Sequence, residues 1–121
     1  MAEGWGATAA NSALDTVCAA YPWVKLHTGA PGSAGTTNAA GETTRKQVTE
    51  ASASGGSKAS SADLVWTSYG ATETPTKFSR WTASTAGTFG FSGTVTSNAI
   101  TTGDTFTIPS GSMTTSVTLA S

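Results

Sequence analysis

Trp23-Val24-Lys25-Leu26-His27 alternates apolar and polar side chains. Val24 and Leu26 share one face, and Lys25 stands with Trp23 and His27 on the other. This two-residue period is the mark of a half-buried β-strand. The same period returns along the rest of the chain. Asp63 to Tyr69 sets Leu64, Trp66 and Ser68 against Val65, Thr67 and Tyr69, and Thr76 to Thr82 sets Phe78 and Arg80 against Lys77, Ser79 and Trp81. Thr88 to Val95 places Phe89, Phe91 and Gly93 on one face, and Asp104 to Ile108 does so with Phe106 and Ile108. Met113, Thr115, Val117 and Leu119 share a face at the chain end, and Arg45 to Thr49 adds a short strand. Ala86-Gly87, Thr102-Gly103 and Pro109-Ser110-Gly111 supply turns. Short alternating strands punctuated in this way predict a mainly β fold, an antiparallel, jelly-roll-like β-sandwich. Its expected core is Val24, Leu26, Val48, Leu64, Trp66, Phe78, Phe91, Phe106, Ile108, Val117 and Leu119.

Upstream, residues 7–21 carry the one helical pattern. Leu14, Val17, Cys18 and Tyr21 form an apolar stripe at helical spacing. Thr8 or Asn11 is the expected cap, and Pro22 ends the pattern. The expected layout is one domain over residues 1–121, with an arm (1–6), the helix (7–21) and the sandwich (23–121). Residues 28–44, rich in Gly and Thr, form a loop too long for a simple connector. Ala51 to Ser57 reads as a slack turn.

Only 11% of the 121 residues are charged and the net charge is −1. The basic residues are scattered, with only Arg45 and Lys46 adjacent, so no patch suits nucleic acid. No stretch is apolar for long enough to span a bilayer. Met1 to Gly4 lacks a secretion signal, so synthesis is expected in the host cytoplasm. Three of the four Trp and all four Phe lie within alternating segments, which argues for order over disorder. Cys18 stands alone, which excludes an internal disulfide.

Catalytic patterns are not apparent. His27 is the only histidine, and its expected role is a strand-end side chain bonded to the adjacent loop. Gly90-Phe91-Ser92-Gly93 falls short of a nucleophile elbow. Asp63, Glu73 and Asp104 sit near turns rather than forming a carboxylate pair. The glycines around Phe89 lack the lysine of a phosphate loop, and no calcium loop is present. No cofactor or metal is expected, and the chain is not expected to be an enzyme.

Trp23 to Gly32 resembles the "WVSLHTADPG"-like opening of a family of small phage proteins. These are common in phages of actinobacteria and are called tail-fibre-like, minor tail or capsid-associated proteins. Arg45-Lys46-Gln47-Val48-Thr49 is similar to that family's "ARQAVTF" strand, with Glu50 where an apolar residue is usual. Phe91 to Val95 with Thr102 to Phe106 resembles its "FSGAL…AGDTL" segment, and Pro109 to Leu119 its "FAAGALTVSL" close. The resemblance covers residues 14 to 121. It implies a virion structural role, an antiparallel sandwich after a short helix, and no catalytic residues.

The expected function is a non-enzymatic structural protein on the exterior of a phage virion. A compact chain without a coiled coil favours capsid decoration, with a minor tail or tail-fibre protein as the alternative. A reading of another class is a module binding host-surface carbohydrate through Trp66, Tyr69 and Trp81. The expected partners are major capsid or tail proteins and further copies of the chain, as a trimer. The candidate interface residues are Trp5, a large aromatic outside the strand pattern, and Gly29, Pro31, Thr36 and Thr37 of the long loop.

Overall fold

The computed structural model describes residues 3–120. It holds one helix, α1 (Ala7–Ala20), followed by eight strands among the described residues: β1 (Trp23–His27), β2 (Lys46–Gln47), β3 (Ser57–Ala59), β4 (Leu64–Trp66), β5 (Lys77–Trp81), β6 (Phe89–Thr94), β7 (Phe106–Ile108) and β8 (Thr114–Ser116). The strands form a four-stranded sheet ordered β2-β1-β5-β6 and two-stranded sheets β3-β8 and β4-β7. Every strand pairing is antiparallel, which gives the sandwich-like β fold that the alternation predicts. β3 was not expected. Its residues, Ser57, Lys58 and Ala59, carry no apolar alternation, and their pairing with Thr114 to Ser116 of β8 is what makes them a strand.

One apolar cluster joins the sheets. Val24, Leu26 and Phe78 of the large sheet meet Leu64, Trp66, Phe106 and Ile108 of β4-β7, with Ala40, Val48, Tyr69, Val95 and Met113 completing it. The Phe106 ring lies 5.8 Å from Trp66 and 5.9 Å, edge-on, from Tyr69. Burying each large apolar side chain contributes about 1.5–3 kcal/mol. Three members of the expected core are less enclosed. Phe91 is partly buried against the cluster, and Val117 and Leu119 lie beyond the end of β8, half-buried. Tyr69, expected opposite Trp66, is instead fully buried. Ser68 takes a left-handed backbone (φ 53°), which resets the alternation one residue earlier and turns Tyr69 inward.

In α1 the buried row is Ala10, Leu14 and Cys18, spaced four apart. Val17 falls off that row and is 43% exposed. Neither Thr8 nor Asn11 caps the helix; Gly6 occupies the cap position with no side-chain bond. Asn11 has another role, since its Oδ1 accepts the Gly56 N–H at 2.9 Å. Asp15 accepts from Ala53 N–H and from Lys58 Nζ, at 2.9 and 2.7 Å. These bonds tie the helix to β3 and to the segment that precedes it.

The other end of the helix meets a buried ion pair. Arg80 is fully buried, and its Nη2 donates to Glu50 Oε1 at 2.8 Å. The same guanidinium donates from Nε to Tyr21 C=O (2.7 Å) and from Nη2 to Cys18 C=O (3.1 Å). The last carbonyls of a helix lack intrahelical partners and carry partial negative charge, so a cation suits them. The Phe91 ring lies 5.1 Å from the guanidinium. Glu50, in place of an apolar residue, is thus explained by the arginine it neutralises. Arg80→Ala leaves that carboxylate buried and unpaired, and is expected to cost about 3–5 kcal/mol in urea unfolding. A loss below about 1 kcal/mol shows that the pair does not hold the helix.

Candidate assembly surface

The four-stranded sheet buries side chains on both faces at β1 and β5, while Ser92 and Thr94 of β6 stay exposed. Away from the core, pairing aligns Trp23, Trp81 and Phe89 in one row, Lys25, Ser79 and Ser92 in the next, and His27, Lys77 and Thr94 in the third. The 28–44 loop folds over this face. Gly35 lies so close to Phe89 that a Cβ there would stand 2.3 Å from the ring, and its φ of 72° also excludes most side chains. Arg45, where the loop re-enters the sheet, lies 4.3 Å above the Trp81 ring and donates to Ala83 C=O (2.9 Å) and Ala86 C=O (2.7 Å). Within the loop, Thr28 N–H bonds Asn38 C=O, Thr37 N–H bonds Pro31 C=O, and Asn38 Nδ2 bonds Ala30 C=O. The segment is a built lid with its own hydrogen bonds.

Under the lid lies a polar chain. Trp81 Nε1, a donor only, gives its proton to Ser79 Oγ at 2.7 Å. The Ser79 hydroxyl then donates to His27 Nε2 (2.7 Å), and His27 Nδ1–H donates to Thr37 C=O (2.9 Å). These partners fix the neutral tautomer of His27. His27 thus binds the adjacent loop, as its strand-end position suggests. His27 and Ser79 are both fully buried, so no substrate reaches this Ser-His pair. Desolvation holds the imidazole below its ordinary pKa of 6.5.

The candidate interface residues occupy distinct places. Thr36 and Thr37 are exposed on the outside of the lid, while Pro31 is buried beneath it. Gly29 is half-buried, with the Asn38 amide in the space a Cβ would occupy. Trp5 stands elsewhere. Its N–H donates to Thr118 C=O (3.0 Å) and its C=O accepts from Ala120 N–H (2.9 Å), a parallel bridge centred on Leu119. Its indole remains 48% exposed, the largest exposed aromatic among the described residues. Met1 and Ala2 of the expected arm, and Ser121, lie outside the described residues. No hydrogen bond joins Trp5 to the lid among the described residues; its backbone partners lie in the 118–120 segment. The Arg45 clamp was not expected from the sequence, although an arginine at the loop's re-entry and a Trp81 outside the expected core were its available signals.

The three aromatics of the carbohydrate reading, Trp66, Tyr69 and Trp81, are all buried and offer no platform for a sugar. Trp66 Nε1 is bonded to Thr44 C=O, and Tyr69 OH to Glu73. A hollow of about 490 Å³ between the helix end and residues 47–50 has Glu50 and Lys58 in its wall, but these charges are held by Arg80 and Asp15. Among the described residues no cluster of His, Cys, Asp and Glu suits a metal, and no helix is long and apolar enough to cross a membrane.

Two measurements check this picture. Because the folded pKa of His27 lies below its unfolded value, its stability contribution is full above about pH 6.5 and is lost as pH falls through the folded pKa. The unfolding midpoint is therefore expected to drop between about pH 7 and 5, and His27→Gln to remove that part of the slope. An unchanged slope in the variant refutes the assignment. Cys18 is 1% exposed and burial raises its thiol pKa. Its native-state labelling by a maleimide is expected to be slow, and to become rapid on unfolding.

Residues 5–116 match the model of a family described as Podophage GP4 fiber I protein gp80, and the chain belongs to that family. The match bears out the expectation of a phage virion protein, in its fibre form. It extends neither to actinobacterial hosts nor to the individual motifs. No curated protein matches the sequence.

Proposed function

We propose that this fibre-family chain is a non-enzymatic building block of a phage fibre, working by packing against copies of itself and against neighbouring virion proteins. The observation that carries the reading is the extent of the family match, which spans the helix and all eight strands. The side-chain chemistry agrees with it. The single histidine is sealed under a lid, and the buried Arg80 and Glu50 are spent on each other and on the helix end. The sequence reading leaned towards capsid decoration. The fibre description of the family favours an appendage, and the capsid lattice becomes the alternative location for the experiment to exclude.

In this reading the chain assembles as a homo-oligomer, a trimer about the fibre axis, with Trp5 and the outer lid residues Thr36 and Thr37 as contacts. Few charges are available to hold copies together at a distance, so buried area must do so. Apolar surface contributes about 25 cal/mol per Å², less the cost of association, so a half-exposed indole is the most valuable single contact.

Trp5→Ala removes the indole while keeping both backbone bonds to the C-terminal segment. The variant is expected to fold as the wild type does and to be depleted from purified particles by about tenfold, a loss of some 1.4 kcal/mol. Antibody-gold electron microscopy should place the wild-type protein on fibres. Full occupancy of the variant removes Trp5 from the contact, and gold spread over the capsid overturns the fibre reading.

A further inference from the structure

β6 is the outer strand of the four-stranded sheet, bonded to β5 on one side and, among the described residues, to no strand on the other. The ladder decides which of its peptide groups are bare. Val95 N–H donates to Thr76 C=O at 3.0 Å, so Val95 faces β5. Alternate residues of an antiparallel strand face the same neighbour. Gly93 and Phe91 therefore also face β5, and the peptide groups of Ser92 and Thr94 point outward. Both residues are exposed. Such an edge is a template for another strand, and proteins that stay monomeric blunt it with Lys, Pro or a covering element.

β6 carries no lysine and no proline, and its bulge at Gly90 lies upstream of the outward-facing Ser92 and Thr94. From Trp81 to Gly103 no residue is charged, and none is proline. A charged partner finds no counter-charge here, whereas two copies of this edge meet without repulsion. The nearest cation, Lys77, lies one strand inward with its Nζ bonded to Thr94 Oγ1 at 3.0 Å. The spacing also matches itself. Antiparallel pairing about Gly93 sets Ser92 of one copy opposite Thr94 of the other, so that each outward N–H meets an outward C=O. Beside the end of the strand, a hollow of about 400 Å³ walled by Val95, Ile108 and Pro109 leaves room for the side chains of the second copy.

We infer that β6 is an assembly edge, at which two copies of the chain pair antiparallel through Ser92 and Thr94 and join their four-stranded sheets into one. The contact is independent of where the protein sits on a virion and of the Trp5 patch.

Amide hydrogen exchange, followed residue by residue at increasing protein concentration, tests it on the unmodified chain. Phe91 and Gly93 are expected to be protected throughout, and Ser92 and Thr94 to gain protection as the concentration rises. Ser92→Pro removes an outward donor and no internal ladder bond. It is expected to weaken self-association by about tenfold or more, since two hydrogen bonds are lost per contact. If that variant melts early, Ser92→Lys, which brings like charges to the paired edges, replaces it. Outward amides that exchange freely at every concentration overturn the inference. So does wild-type association of the folded variant, or protection that appears only when a different virion protein is added.

Discussion

A buried guanidinium is the constraint on which the arrangement of this chain depends. Arg80 projects from the core face of β5, where alternation calls for an apolar side chain, and there it meets three separate parts of the chain. It neutralises Glu50, donates to the Cys18 and Tyr21 carbonyls at the negative end of α1, and lies against Phe91. Replacing a buried ion pair with apolar residues often leaves stability equal or higher, so net stability does not explain its presence. Its value here is specificity. An Ala-rich helix with a buried row of only Ala10, Leu14 and Cys18 could slide or rotate on an apolar surface at small cost. A bidentate carboxylate and two carbonyls converging on one guanidinium allow one position.

That position has consequences on both sides of the sheet. With the helix end fixed, the Tyr21 ring sits where a Cβ on Gly90 would stand, 2.4 Å from it, so a glycine is required at the bulge in β6. β1 starts two residues after the helix and pairs along its whole length with β5. On the far face, the lid meets the same strands through His27 and Ser79, and Arg45 closes it over Trp81. The central strand β5 is thereby enclosed on both faces, an unusual state for antiparallel strands, which commonly leave one face to water, while Ser92 and Thr94 at the β6 edge stay exposed. Residues of opposite parity, Phe78 and Arg80 on one side and Ser79 and Trp81 on the other, are accordingly all buried.

This double burial sets how much of the fold was legible in the sequence. Period-two alternation located seven of the eight strands, because each contains or directly adjoins an apolar side chain of the core, Val48 beside β2 and Met113 beside β8 included. It missed β3, whose three residues are stabilised by partners remote in sequence. It also assumed a single buried face, and so left Trp81 out of the expected core and gave the long loop no packing against the sheet. Tyr69 was misplaced for a different reason, a left-handed Ser68 that no pattern of hydrophobicity encodes. The candidate surface was legible in part. Trp5 stood out because an aromatic flanked by glycines has no periodic partner, but its parallel bridge to Leu119 joins the two ends of the chain, which local patterns do not reveal. The bare edge of β6 was likewise invisible, since strand order is a property of the folded sheet.

The distribution of charge connects fold to assembly. Arg80 and Glu50 satisfy each other internally, Lys58 is tied to Asp15, and Arg45 is turned onto Trp81 and two carbonyls. Half of the six basic residues are thus engaged within the fold, in a chain with few charges to begin with. What remains outside is a surface of Thr, Ser, Ala and Gly. Such side chains lose little rotamer entropy when ordered and let backbones approach closely, while their hydroxyls supply hydrogen bonds without long-range repulsion. A surface of this kind suits contacts between identical chains, where a charge would face its own like across a symmetry axis. Low charge also removes an ordinary defence against unwanted association, and beyond the Gly90 bulge the β6 edge carries no charge or proline either. In the proposed pairing, that open stretch of β6 is the surface the second copy would cover.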